Sequence, residues 1–177
     1  MAGALIKIDE VIVSSGVSTI QVGGLNWDNS YNVYQVTVNG LKAENNDVNV
    51  YLRILDNSNN PVTASDYDWS RRIMISNTSF STGALTNQDR DYFTNNDIGT
   101  GTSEVANGIL YLFNFNDANE RSFYTLEELE RQANGSHLQG FAGGGCLTQT
   151  ALHKGIQFSL ESGNFIGGSV TLYGLKK

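Results

Sequence analysis

Val48-Asn49-Val50-Tyr51-Leu52-Arg53-Ile54 is the stretch whose reading sets the fold class. Val48, Val50, Leu52 and Ile54 alternate with Asn49, Tyr51 and Arg53. Side chains along a strand point to opposite faces in turn, so this period of two predicts a half-buried strand. Downstream, Asp56 to Asn60 and Pro61 form a polar loop. Residues 67–76 then alternate again, Trp69, Arg71, Ile73 and Ile75 against Ser70, Arg72 and Met74. Upstream, residues 31–38 predict a strand with Tyr34, Val36 and Val38 on one face, and Asn39-Gly40 gives a strong turn signal after it. Val11, Val13 and residues 17–22 read as a strand pair joined by Ser14-Ser15-Gly16.

Residues 77–106 are mostly Asn, Thr, Ser, Asp and Gly, and part of them is expected as an edge strand or ordered loop. The most apolar segment is 109–115, with Ile109, Tyr111, Phe113 and Phe115 opposite Leu110 and Leu112. Both faces are apolar, which predicts a central strand with one face on the core and the other on a subunit contact. A charge there is expected to prevent folding or assembly. Leu126 and Leu129, among Glu127, Glu128 and Glu130, predict one short helical turn at 125–131. Gly143-Gly144-Gly145 precedes a strand at 146–152. Ile156, Phe158 and Leu160 mark another, and Val170 and Leu172 with Thr171 and Tyr173 mark the last. The sum is an all-β, antiparallel chain of one domain over residues 1–177. No βαβ pattern or fixed-period repeat is present, so a sandwich or a barrel remains.

The chain has 177 residues, a net charge of −7 and a pI near 4.7. That acidity argues against a nucleic-acid partner, because phosphate binding needs clustered Lys and Arg. It suits a positively charged patch on another protein. Charged residues make up 16%, against about 25% in average globular proteins. Asn, Ser, Thr and Gly take their place, as suits either a surface that meets protein or a set of tight turns. Cys146 is the single cysteine, so no intrachain disulfide forms. Lys7, Asp9 and Glu10 interrupt the apolar N-terminal stretch, so no signal peptide is expected, and no apolar run is long enough for a membrane helix. Without a secretion signal, Asn77-Thr78-Ser79 and Asn134-Gly135-Ser136 read as chance matches to the glycosylation pattern.

Catalytic and metal signals are sparse. His137 and His153 are the only histidines, and Cys146 lies seven residues from His153, an odd offset that puts the two on opposite faces of a regular strand. Nucleophile-elbow, phosphate-loop and zinc-protease motifs are missing. Asp56-Asn57-Ser58-Asn59-Asn60 has the oxygen-rich look of a calcium loop, yet Pro61 and Tyr67 stand where that loop needs Gly and Glu. Turn formation accounts for it. The expectation is no catalytic residue, no cofactor and no metal. Trp27, Tyr31, Tyr67, Trp69 and Tyr92 lie in or beside expected loops. They are candidate exposed aromatics for a glycan, with core or subunit packing as the competing reading.

Gly143-Gly144-Gly145-Cys146-Leu147-Thr148, Gly155-Ile156-Gln157-Phe158, Ser162-Gly163-Asn164-Phe165 and the closing Gly168-Ser169-Val170-Thr171-Leu172-Tyr173-Gly174-Leu175-Lys176 resemble the ends of small virion proteins of tailed bacteriophages. Residues 108–115 resemble the same group, as do Ile20, Gly24-Leu25 and Tyr31-Asn32-Val33-Tyr34. The resemblance implies a jelly-roll-like sandwich that self-associates, commonly as a homotrimer. The expected function is a capsid decoration, or cement, protein bound between major capsid subunits, located in the virion and assembled in the host cytoplasm. The short chain, with no shaft or anchor attached, fits that expectation. The alternative is a tail-fibre or receptor-binding module for a host surface glycan. A secreted glycan hydrolase would need a signal and paired carboxylates, and neither is seen.

Overall fold

The computed structural model describes residues 4–77, 79–94, 98–133 and 137–176. Thr78 and residues 134–136 lie outside the described residues, and so do those parts of the two glycosylation-type tripeptides. The strands in chain order are β1 (Ala4–Ile12), β2 (Thr19–Gly23), β3 (Val33–Ala43), β4 (Val50–Asp56), β5 (Tyr67–Ile75), β6 (Ser79–Gln88), β7 (Asp91–Tyr92), β8 (Ala106–Phe113), β9 (Arg121–Arg131), β10 (Leu138–Thr150), β11 (His153–Leu160) and β12 (Phe165–Lys176). They form an eight-stranded sheet, β1-β12-β3-β8-β9-β10-β5-β6, and a four-stranded sheet, β2-β11-β4-β7. All pairings are antiparallel.

The order β1-β12-β3-β8 over β2-β11-β4-β7 is a double Greek key, the jelly-roll arrangement. The chain changes sheet at each step from β1 to β5, again from β6 to β8 and from β10 to β12. Two hairpins interrupt that path, β5–β6 after β4 and β9–β10 after β8. Both extend the same margin of the first sheet, beyond β8. The fold is an antiparallel β-sandwich with one long wing.

Alternation builds the core. Val36, Val38, Leu110, Leu112, Val170 and Leu172 of the first sheet face Ile20, Val22, Val50, Leu52, Ile54, Ile156 and Phe158 of the second, none more than 4% exposed. Burying each such side chain stabilises the fold by about 1.5–3 kcal/mol.

Three sequence expectations are corrected. The helical turn expected at 125–131 is part of β9, whose residues alternate strictly between exposed and buried. Leu126 is buried and Leu129 exposed, on opposite faces, while the inward positions beyond Leu126 hold Glu128 and Glu130. The one helical turn among the described residues is a 3-10 turn at Gly24–Asn26. β1 does not pair with β2: it adds to β12, and β2 adds to β11 in the other sheet. Asn39-Gly40 does not reverse the chain. Gly40, at φ 63, makes an irregularity through which β3 continues to Ala43.

Candidate interaction surface

The outward face of the wing is set by register. One cross-strand row joins Asn107, Leu129, Gly140, Met74 and Phe80. The next joins Ile109, Glu127, Ala142, Arg72 and Thr82; the third joins Tyr111, Thr125, Gly144, Ser70 and Ala84. Every β10 member of these rows is Gly or Ala, because its outward positions are Gly140, Ala142 and Gly144. The sheet therefore carries a trough along β10, walled by β9 on one side and β5 on the other. At one end it is lined by Met74, Ile109 and Leu129, at the other by Phe113, Phe123, Cys146 and Ala84. The large apolar side chains around it, Met74, Phe80, Ile109, Tyr111, Phe123, Leu129 and Leu138, are exposed by between 38% (Tyr111) and 64% (Phe80). Scattered exposed apolar residues are ordinary, but seven large ones on one face, with Glu127 and Arg72 between them, make a candidate interaction site.

No protein-family model matches the chain, and no curated protein or solved structure is significantly similar to it.

Of the segment expected at 109–115, Ile109 and Tyr111 point outward at the trough and Phe113 lines its end, while Leu110 and Leu112 enter the core. Phe115 departs from the expected face. Asn114, at φ 62, breaks the alternation after β8 and turns Phe115 inward to 1% exposure. Tyr111 also accepts a hydrogen bond from Gln35 Nε2 at 3.1 Å, so the outward face keeps some polar character.

The five loop aromatics do not make one platform. Tyr67 is fully buried: its hydroxyl receives Ile54 N–H at 2.8 Å and donates to the Val62 carbonyl at 3.2 Å, tying β5 to β4. Trp27 packs on Tyr34 and Phe115, with centroids at 4.0 and 5.8 Å, and donates Nε1–H to Asn116 at 2.9 Å. Tyr31 sits against Tyr34. Trp69 and Tyr92 do come together, at 6.2 Å, with Tyr51 5.3 Å from Tyr92, and all three are half-buried. Alternation alone did not separate these packing roles from a sugar platform.

Behind the trough, the inner face of the wing sets buried polar groups among apolar ones such as Ile73, Leu126 and Phe141. Arg71 pairs with Asp91 and donates to the Tyr92 carbonyl at 2.7 Å; its guanidinium lies between the Trp69 and Phe141 rings, at 4.1 and 4.6 Å. Tyr124 donates to Asp91 at 2.7 Å. Burial holds the Asp91 carboxyl above its ordinary range, although Arg71 and Tyr124 both favour the charged form. Burial likewise pushes up the Glu128 carboxyl, and the neighbouring Glu130 adds to the effect. Among the described residues, neither Glu128 oxygen has a hydrogen-bond partner. Gly143 lies opposite Arg71, where a Cβ would come within 2.7 Å of the Arg71 Cβ. The glycine run in β10 thus makes room for the buried arginine on one face and the trough on the other.

Cys146 and His153 lie in different sheets. Cys146 lines the trough, half-buried, and burial raises its thiol pKa. His153 is buried, with Nδ1 2.7 Å from Ser122 Oγ, and burial pushes its pKa down to about 4. Asp56 Oδ1 accepts the N–H groups of Ser58 and Asn60 at 2.7 and 2.8 Å, as expected of a turn. Among the described residues no group of three or more His, Cys, Asp or Glu is placed to hold a metal ion.

Proposed function

We propose that this protein is a structural component of a tailed-bacteriophage virion, a capsid decoration protein that binds through the outward face of its long sheet. The observation that carries the reading is the trough along β10 with its rim of exposed apolar side chains. Jelly rolls serve in viral shells and in lectins alike, so the topology does not decide between the readings and the surface must. Supporting it are the resemblance of residues 108–176 to phage virion proteins and an acidic surface suited to a basic patch on a major capsid protein. A subunit contact of standard size removes roughly 1,600 Å² from solvent, and many copies on one lattice add avidity.

Co-sedimentation with emptied, expanded capsid shells tests it. Wild type is expected to pellet with the shells. Tyr111→Asp is expected to remain folded, because the side chain is at the surface, and to lose shell binding. Failure of wild type to bind shells, together with binding to host-cell glycans, replaces this reading with the tail-fibre one.

A further inference from the structure

The sheet margins are not alike. β1 carries Lys7, Asp9 and Glu10 and a register break between Lys7 and Asp9. β2 has five residues and β7 two. β6 has ten residues, Ser79–Gln88, and includes no charged residue and no proline. Its pairing with β5 runs unbroken from Ile75–Ser79 to Trp69–Leu85. Proteins usually protect a free edge with charge, proline, a bulge or brevity, because unpaired N–H and C=O groups accept another strand. From Ser79 to Leu85 β6 has none of these protections; its register break, with Asn87 at φ 56, comes only after Leu85.

We propose that β6 pairs antiparallel with β6 of a second copy of this chain, across a two-fold axis at Gly83. An antiparallel two-fold contact keeps outward face with outward face. With Gly83 opposite Gly83, Thr82 stands opposite the copy's Ala84 and Phe80 opposite its Thr86. Ala84 and Thr86 line the end of the trough, and Phe80, at 64% exposure, is the most exposed aromatic around it. Neighbours directly across and diagonally across a strand pair are within reach of an aromatic ring. Each copy thus brings its exposed Phe80 to the other's trough. Charge selects the same partner: within a chain of net charge −7, the uncharged β6 is a margin where two copies meet without opposing like charges. The contact joins two copies, whatever threefold packing a lattice imposes.

Sedimentation of the isolated full chain over a dilution series tests this, independently of any capsid. Wild type is expected to show a pair that dissociates on dilution. The double variants Thr82→Glu/Ala84→Glu and Thr82→Lys/Ala84→Lys place like charges opposite one another and are each expected to weaken pairing by about tenfold or more. Mixing the two is expected to restore a one-to-one pair. Phe80→Ser is expected to weaken pairing without lowering the thermal midpoint of the diluted protein. A single-copy wild type at every concentration overturns the proposal. So does an all-Glu variant that pairs like wild type, or folded Glu and Lys variants that fail to pair on mixing.

Discussion

The jelly-roll body and the wing use the same strands and pairing but close their inner faces differently. In the body, two sheets cover one another with aliphatic and aromatic side chains. In the wing, β9, β10, β5 and β6 extend beyond β8, past the neighbours of the four-stranded sheet. β7, the margin of that sheet, reaches them through Asp91 and Tyr92. The wing therefore buries Arg71, Tyr124 and Glu128, with Asp91 of β7 against the first two, where the body buries Leu52 and Phe158. Burying charge is tolerated only with a partner, and replacing such a pair with apolar residues is often neutral or stabilising. The body is held by contact area; the wing adds a few buried polar interactions to the contact area of Tyr67, Ile73, Leu126, Phe141 and Leu147.

Substitutions measure that difference. Arg71→Ala strands Asp91 and empties the space between Trp69 and Phe141, at an expected cost of about 3–5 kcal/mol; Phe158→Ala in the body is expected to cost about as much, 3–5 kcal/mol, through its cavity. Chemical denaturation separates the mechanisms. An Arg71→Met/Asp91→Leu/Tyr124→Phe variant, which also removes the hydroxyl that donates to Asp91, is expected to recover most of the loss. If Arg71→Ala is nearly silent, the wing does not depend on its ion pair.

The two regions are also expected to respond to pH in opposite senses. His153 of the body is neutral when buried, while the unfolded chain binds a proton near 6.5. Stability is therefore lost as pH falls from about 6.5 toward the folded value of about 4. Thermal midpoints of His153→Gln are expected to fall less steeply over that window. Glu128 of the wing retains its proton when folded, so stability is lost as pH rises above the ordinary value of 4.5. Glu128→Gln is expected to reduce that loss. Identical slopes for wild type and either variant would remove that residue from the account. The smallest effect is expected on the outward face, where Leu129→Ser should shift unfolding by no more than about 0.5 kcal/mol.

The body was legible in the sequence because its alternation is apolar against polar. Val50, Leu52 and Ile54, and Ile156 and Phe158, turn inward as their spacing indicates. The wing was less legible because it mixes the code. Glu128 and Glu130 face inward while Phe123 and Leu129 face outward, so β9 looked like a helical turn. The trough had a sequence signal, small residues at Gly140, Ala142 and Gly144, but it becomes a surface only once β9 and β5 stand on either side. Tyr67 looked exposed because no local pattern announces its hydroxyl bridging Ile54 and Val62.

The register of β1 on β12 sets Ala4 beside Lys176. The beginning and end of the described chain thus share one corner of the long sheet, at the margin opposite β6. A fluorescent or affinity fusion joined directly to Ala4 or Lys176 would start from that same corner, at the margin opposite β6. A short peptide bridging the two would close the backbone into a loop, and the molecule could then be reopened at the polar turn Asn57-Ser58-Asn59-Asn60 without removing a strand.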